Sequence, residues 1–420
     1  MKKVLHYCYN VFMVFVFFFL LGVCTLYIMQ TTKDKGNYLK YQQFYEEKEN
    51  FDVLFFGSSR ILDAVYPMEL WQDFGITSYN MAQHSENLNI TYWQMKNAFK
   101  YNIPKVAVVD LSLLGGAKVK DADVESKSYL HKSLDHMPFS MLKYEALKDL
   151  TEDIDLMEYL FPYAMYHNRW SELVRADIYL EDYPLRKGAE SRAKIAPLEK
   201  VEWSTDEIST SLCVEDLMID EIIKLCKEYS VEVVFTLMPS PLSSGNKDFC
   251  SSINAIELYS QEQGIPVVNF AREDDFINYS LEFSDNSHLN PSGGKKLTSK
   301  LGQFLVGCFD FEEKKETTIA SWTAAESRYL GTKFGELKIE SGEGDIITYL
   351  LLLNRDKDLS FDIHMTNKDC ITLFELEAIL EELQVTEENI VFDVEEDDAV
   401  EVTVYRNDTG EILHQGKFRR

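Results

Sequence analysis

Two serines follow a glycine at the end of an apolar run in residues 51–60, FDVLFFGSSR. A serine hydroxyl is un-ionised at neutral pH. It becomes a nucleophile only with a base at hydrogen-bond distance, and the base needs a carboxylate to orient it. Such a pair stands far downstream in residues 285–294, DNSHLNPSGG, where Asp285 and His288 sit just before a closing amphipathic segment. Ser59, His288 and Asp285 are therefore candidate nucleophile, general base and orienting acid for attack on an acyl carbon. Ser58 is the rival nucleophile. The bland alternative is a serine in a strand-end turn and a histidine at a helix entry.

Together the two blocks resemble the SGNH (GDSL-like) hydrolase superfamily, which has a Gly-Asp-Ser block after its first strand and an Asp-x-x-His block before its last helix. The resemblance covers roughly residues 50–310. Here the first block reads Gly57-Ser58-Ser59, so Ser59 matches the nucleophile and Ser58 stands where Asp is usual. The family's second block, whose glycine N–H helps form the oxyanion hole, aligns with residues 80–87 (NMAQHSEN) and puts Ser85 at that glycine. The resemblance thus implies that the backbone N–H groups of Ser59 and Ser85 face the oxyanion. The family's third block, a Gly-x-Asn after the third strand whose asparagine amide is an oxyanion donor, has no counterpart, because the sequence reads Asp110-Leu111-Ser112 and only later Gly115-Gly116. One such donor is worth about 2.7–4 kcal/mol of transition-state stabilisation. A second reading therefore stays open, a catalytically weak SGNH scaffold that binds a glycan or a membrane partner.

The elements that must position these groups alternate as strand and helix. Residues 53–56, 76–80, 105–111, 231–238 and 266–270 read as strands, and Leu88, Tyr92, Met95 and Phe99 mark one helix face. Alternation of this kind means a parallel sheet covered on both faces, with ligands at its carboxyl edge. The resemblance implies that this α/β sheet is five-stranded and flavodoxin-like. Residues from about 113 to 211 leave the alternation and read as a helical insertion over the catalytic face. Within it Tyr166-His167-Asn168-Arg169-Trp170 offers His167 and Arg169 as substrate-binding candidates beside aromatic platforms; the alternative is that the aromatics anchor the insertion and Arg169 pairs with an acid. His84 is a further candidate substrate contact, or a structural hydrogen-bonder in a polar turn.

Residues 11–29 are free of charge and long enough for a ~30 Å hydrocarbon core at ~1.5 Å per residue. Lys2 and Lys3 precede them, which directs the remainder of the chain outside the cell by the positive-inside rule. With no small-x-small cleavage site, an uncleaved signal anchor is expected over 1–32, followed by a juxtamembrane spacer over 33–50. The net charge of −28 excludes nucleic acid as a partner, since phosphates would be repelled. The cysteines outside the membrane segment lack metal spacing, and neither metal nor dissociable cofactor is implied. Residues 317–420 read as a mostly-β accessory domain, with strands at 335–340, 347–353, 359–365, 390–394, 400–405 and 412–418.

These features point to an exported, membrane-anchored serine esterase or O-acyltransferase. Anchored chains of this shape are similar to the D-alanyl transfer proteins and polysaccharide O-acetylation proteins. That resemblance implies an acylated glycan or envelope polymer as substrate and a membrane-bound O-acyltransferase as partner.

Overall fold

The computed structural model describes residues 2–32, 35–160, 169–171, 173, 186–192, 194–210, 218–340, 346–353, 359–385, 390–392, 398–407 and 410–419. Its strands in chain order are β1 (Val53–Phe56), β2 (Ser78–Asn80), β3 (Val106–Asp110), β4 (Val119–Lys120), β5 (Thr151–Glu152), β6 (Glu232–Leu237), β7 (Val267–Asn269), β8 (Leu359–Met365), β9 (Ile390–Phe392), β10 (Ala399–Arg406) and β11 (Ile412–Arg419). Two compact units result, one from residues 1–46 with 117–183, the other from 47–116 with 184–420.

The larger unit is built on a parallel sheet in the order β2-β1-β3-β6-β7. Counting only its own strands, that is the 2-1-3-4-5 order of flavodoxin-like sheets. The runs VLFF and VAVVD are buried at every position because helices cover both faces, which is why they carry no alternation. One face packs Val53, Phe55, Val106 and Val108 against Leu297, Leu301 and Leu305 of the helix Pro291–Cys308. That helix also fixes the turn after the helix Ser59–Leu62, since Thr298 Oγ1 donates to Ala64 O at 3.0 Å and accepts from Tyr66 N at 3.1 Å.

The C-terminal part of this unit corrects the mostly-β expectation. It holds a four-stranded sheet, β11-β10-β8-β9, but residues 335–340 belong to a long helix Glu316–Glu340, and 347–353 to a helix Ile346–Leu353. The run IITYLLLL is short and apolar at every position but Thr348, so its sequence has no period that separates a buried strand from a buried helix. Ile346, Tyr349, Leu350 and Leu353 close one core with Ile363, Val402 and Phe418. Leu281, from the loop that leads into the Asp285/His288 block, belongs to the same core.

In the smaller unit the helix Lys2–Thr32 contains a stretch, His6–Thr25, of mean hydropathy 2.2 that is long and apolar enough to cross a membrane. The segment expected as a spacer is a packed helix, Lys35–Glu46. Its Tyr41 stacks on His136 at 3.3 Å between ring centroids, and Asn37 donates to Lys132 O at 2.7 Å. The helices Val124–Leu134, Met141–Leu150 and Leu156–Leu160 surround a small parallel pair, β4 with β5.

Candidate active site

Ser59 opens the short helix after β1, and Ser58 is its N-cap, with extended backbone and a hydroxyl that accepts from Arg60 N. The turn between strand and helix depends on Gly57. Its φ of +130° is closed to side chains, and a Cβ there would sit 2.6 Å from Asp110 Cβ on the neighbouring strand. The two serines therefore face different partners. Ser58 is buried and donates to Asp110 Oδ2 at 2.7 Å, whereas Ser59 Oγ lies 2.7 Å from His288 Nε2. The geometry thus separates the rivals: the hydroxyl at the imidazole is that of Ser59.

Ser59 and His288 are 229 positions apart in sequence. His288 reaches the sheet edge on a tight loop, in which Phe283 pairs with Leu289 and Ser284 N donates to His288 O at 2.9 Å. Asn290 caps the helix that follows, and its side-chain amide holds Leu281 O at 2.7 Å. Asp285 lies across this loop from the imidazole, with Oδ1 at 2.8 Å and Oδ2 at 2.9 Å from His288 Nδ1. Ser287 N and His288 N also donate to Oδ1, so the loop backbone aims the carboxylate.

The electrostatics suit a base at Nε2. Burial pulls the His288 imidazole below the ordinary histidine range, the Asp285 hydrogen bond and charge oppose this, and the Arg192 and Arg60 cations add to the lowering. For Asp285 partial burial pushes upward, but the N–H groups of Ser287 and His288 and the imidazole outweigh it, leaving the carboxyl below its usual value. Nδ1–H bonded to the carboxylate leaves Nε2 as the acceptor, the tautomer that can take the Ser59 proton.

Sequence reasoning missed the group behind the triad. Arg192 Nε lies 2.7 Å from Asp63 Oδ2, Nη1 lies 3.4 Å from Asp285 Oδ2, and Nη2 lies 3.4 Å from His84 Nδ1. Burial pushes the fully buried Asp63 carboxyl up to about 6, against the pull of Arg192. Arg192 comes from a strap, described over residues 186–192 and 194–198, that pairs by backbone with Asn80, Leu62, Phe283 and Tyr279 and so touches three elements of the site. Gly188 makes that approach possible, since its φ is +87° and a Cβ would stand 2.2 Å from Asn80 O. The strap has no periodicity to signal it. Asp63 had one available signal, a lone carboxylate inside the apolar run ILDAV.

The other candidates are distributed as follows. His84 Nε2 pairs with Glu190 Oε2 of the strap at 3.1 Å. Ser85 is exposed and adopts φ +55°, the left-handed conformation that glycine favours, at the position the resemblance assigns to a glycine. Arg169 lies in a single 3-10 turn, Arg169–Ser171, of the smaller unit, and His167 falls outside the described residues. At the end of β3, Ser112 donates both N–H and hydroxyl to Asp110 Oδ1, at 3.1 and 2.6 Å.

A pH dependence follows. If neutral His288 is the acceptor for the Ser59 proton, kcat/KM on an acyl ester is expected to rise with pH through an ionisation below the ordinary histidine value of about 6.5 and to be flat by neutrality. Arg192→Gln removes a cation that lowers the imidazole pKa, so its midpoint moves up; Asp285→Asn removes the anion that raises it, so its midpoint moves down. Asp63→Asn separates the buried carboxyl that titrates in the same window. A limb unmoved in both the Arg192 and Asp285 variants would exclude His288 as its source.

No family model matches the sequence, and no curated protein matches it. Among solved structures, a crystal structure of a "putative acylhydrolase" from Bacteroides fragilis is similar to this chain at 12% identity, covering 65% of this chain and 97% of that one, with a TM-score of 0.32. A likeness of that size leaves the reading of the site to its own geometry.

Proposed function

We infer that the protein is a serine acyl-ester hydrolase or O-acyltransferase of SGNH type. One observation carries the reading: the continuous chain Ser59 Oγ to His288 Nε2 to Asp285, with hydrogen-bond distances throughout. Ser59 attacks the ester carbonyl, His288 takes its proton and returns it to the leaving alkoxide, and Asp285 holds the tautomer and stabilises the imidazolium. The backbone N–H groups of Ser59 and Ser85 face the developing oxyanion.

The substrate class follows from topology and resemblance. An N-terminal helix whose apolar stretch His6–Thr25 is fit to span a membrane and follows Lys2 and Lys3 favours an anchored protein whose α/β unit works outside the cell on acyl esters of envelope glycans or polymers, beside a membrane-bound O-acyltransferase. A second reading, a weak scaffold that binds a glycan or that partner, is favoured by the turn after β3, where Ser112 spends its donors on Asp110.

Labelling with a membrane-impermeant fluorophosphonate separates the two. On intact cells the wild-type chain is expected to be labelled and Ser59→Ala to be blank. Equal labelling of both would remove the Ser59 reading, and labelling only after lysis would reverse the topology.

A further inference from the structure

Arg60, next to the nucleophile, carries a cation that the triad does not use. Its Nη1 donates to Ser243 Oγ, and among the described residues the guanidinium makes no other hydrogen bond and no ion pair. In a chain of net charge −28 that is unusual: Arg192 and Arg272 each pair with two carboxylates. An arginine has five N–H donors, so most of those of Arg60 remain unspent.

The sheet order shows where they lie. Ser59 and Arg60 follow β1, Ser243 belongs to the short helix Pro241–Ser244 that follows β6, and β3 runs between those two strands. The Arg60 side chain therefore bridges the carboxyl end of β3. This is the turn at which a side-chain oxyanion donor is expected from the resemblance, and at which Ser112 has turned its own donors onto Asp110. Burial lowers the pKa of Arg60, but Asp110 and Asp285 both act on it by charge in the opposite sense, and its own charge is felt at His288. The guanidinium is thus a charged donor within electrostatic reach of the imidazole, set between the nucleophile's helix and the end of β6.

We propose that Arg60 is the side-chain oxyanion donor of this site. The proposal rests on the acyl-transfer reading and extends it to a residue outside the triad. As the Ser59 Oγ–carbon bond forms, the Oγ proton passes to His288 Nε2 and the carbonyl π pair moves onto oxygen, where an Arg60 N–H and the Ser59 backbone N–H donate to it. Collapse returns the pair, breaks the bond to the leaving oxygen, and delivers the proton from His288 to that alkoxide. A guanidinium donor is charge-assisted, and its bond strengthens as negative charge develops, so it acts on kcat rather than on binding.

The test is steady-state hydrolysis of p-nitrophenyl acetate, a neutral ester, by the full chain in detergent, with Ser59→Ala fixing the background. Arg60→Ala is expected to lose about 10²–10³-fold in kcat with little change in KM, and added methylguanidinium is expected to restore part of it. A wild-type kcat, a change confined to KM, or a loss that methylguanidinium does not relieve would each overturn the role. Wild-type turnover no greater than that of Ser59→Ala would instead remove the acyl-transfer reading, and the proposal with it.

Discussion

Ser59→Ala and His288→Ala are each expected to reduce acyl release from an acetyl ester by about 10⁶-fold, because nucleophile and base act as a unit and either loss stops the same step. Asp285→Asn is expected to fall by about 10⁴-fold in kcat yet stay above the other two, since the base survives in a poorer tautomer. All three variants should keep the wild-type melting point. Ser59 and His288 sit at the sheet edge, on a short helix and a loop, outside the core formed by Val53, Phe55, Val108 and Leu301. Activity retained in both the Ser59 and His288 variants would end the hydrolase reading and leave the scaffold.

The second large effect is on folding. Gly57→Ala asks a side chain to adopt φ +130° and places its Cβ 2.6 Å from Asp110 Cβ. Relief would require β1 and β3 to separate, yet they are paired along their length from Val53↔Val106 to Phe56↔Val109. Backbone strain and overpacking each cost about 1–3 kcal/mol, a large part of the ~5–15 kcal/mol by which domains are stable. The expected outcome is a melting point lowered by roughly 5–20 °C or loss of soluble protein. Gly307→Ala, in the helix Pro291–Cys308 with nothing within 4 Å of the added Cβ, serves as the neutral control. Equal melting of the two variants would show that the turn at Gly57 is not built as described.

The parts of the site that could be read from the sequence are those coded locally. An apolar run that stops at Gly57 fixes where a buried parallel strand ends, and Asp285 with His288 sits within one loop, so spacing alone suffices. Asp110, Arg192, Asp63 and Glu190 act through contacts between distant segments: Arg192 meets Asp285 across 93 positions, and Ser58 meets Asp110 across 52. Nothing in the composition of either segment announces such a meeting. The helix Ile346–Leu353 was illegible for another reason, since a run with seven apolar residues in eight carries no amphipathic period. The resemblance carried the register that favours Ser59 over Ser58, and the structure gives a physical basis for the difference: Asp110, at the end of β3, ties down the Ser58 hydroxyl, while the Ser59 hydroxyl lies at the imidazole.

The most direct measurement is capture of the covalent intermediate. Mixing the full chain with a rapidly acylating acetyl ester, quenching in acid within the first turnover and mapping peptides by mass spectrometry should find the acetyl group on Ser59, absent in Ser59→Ala and accumulating only slowly in His288→Ala. Acetyl on Ser58, or steady turnover with no acyl group on the peptide that carries Ser59, would contradict the account.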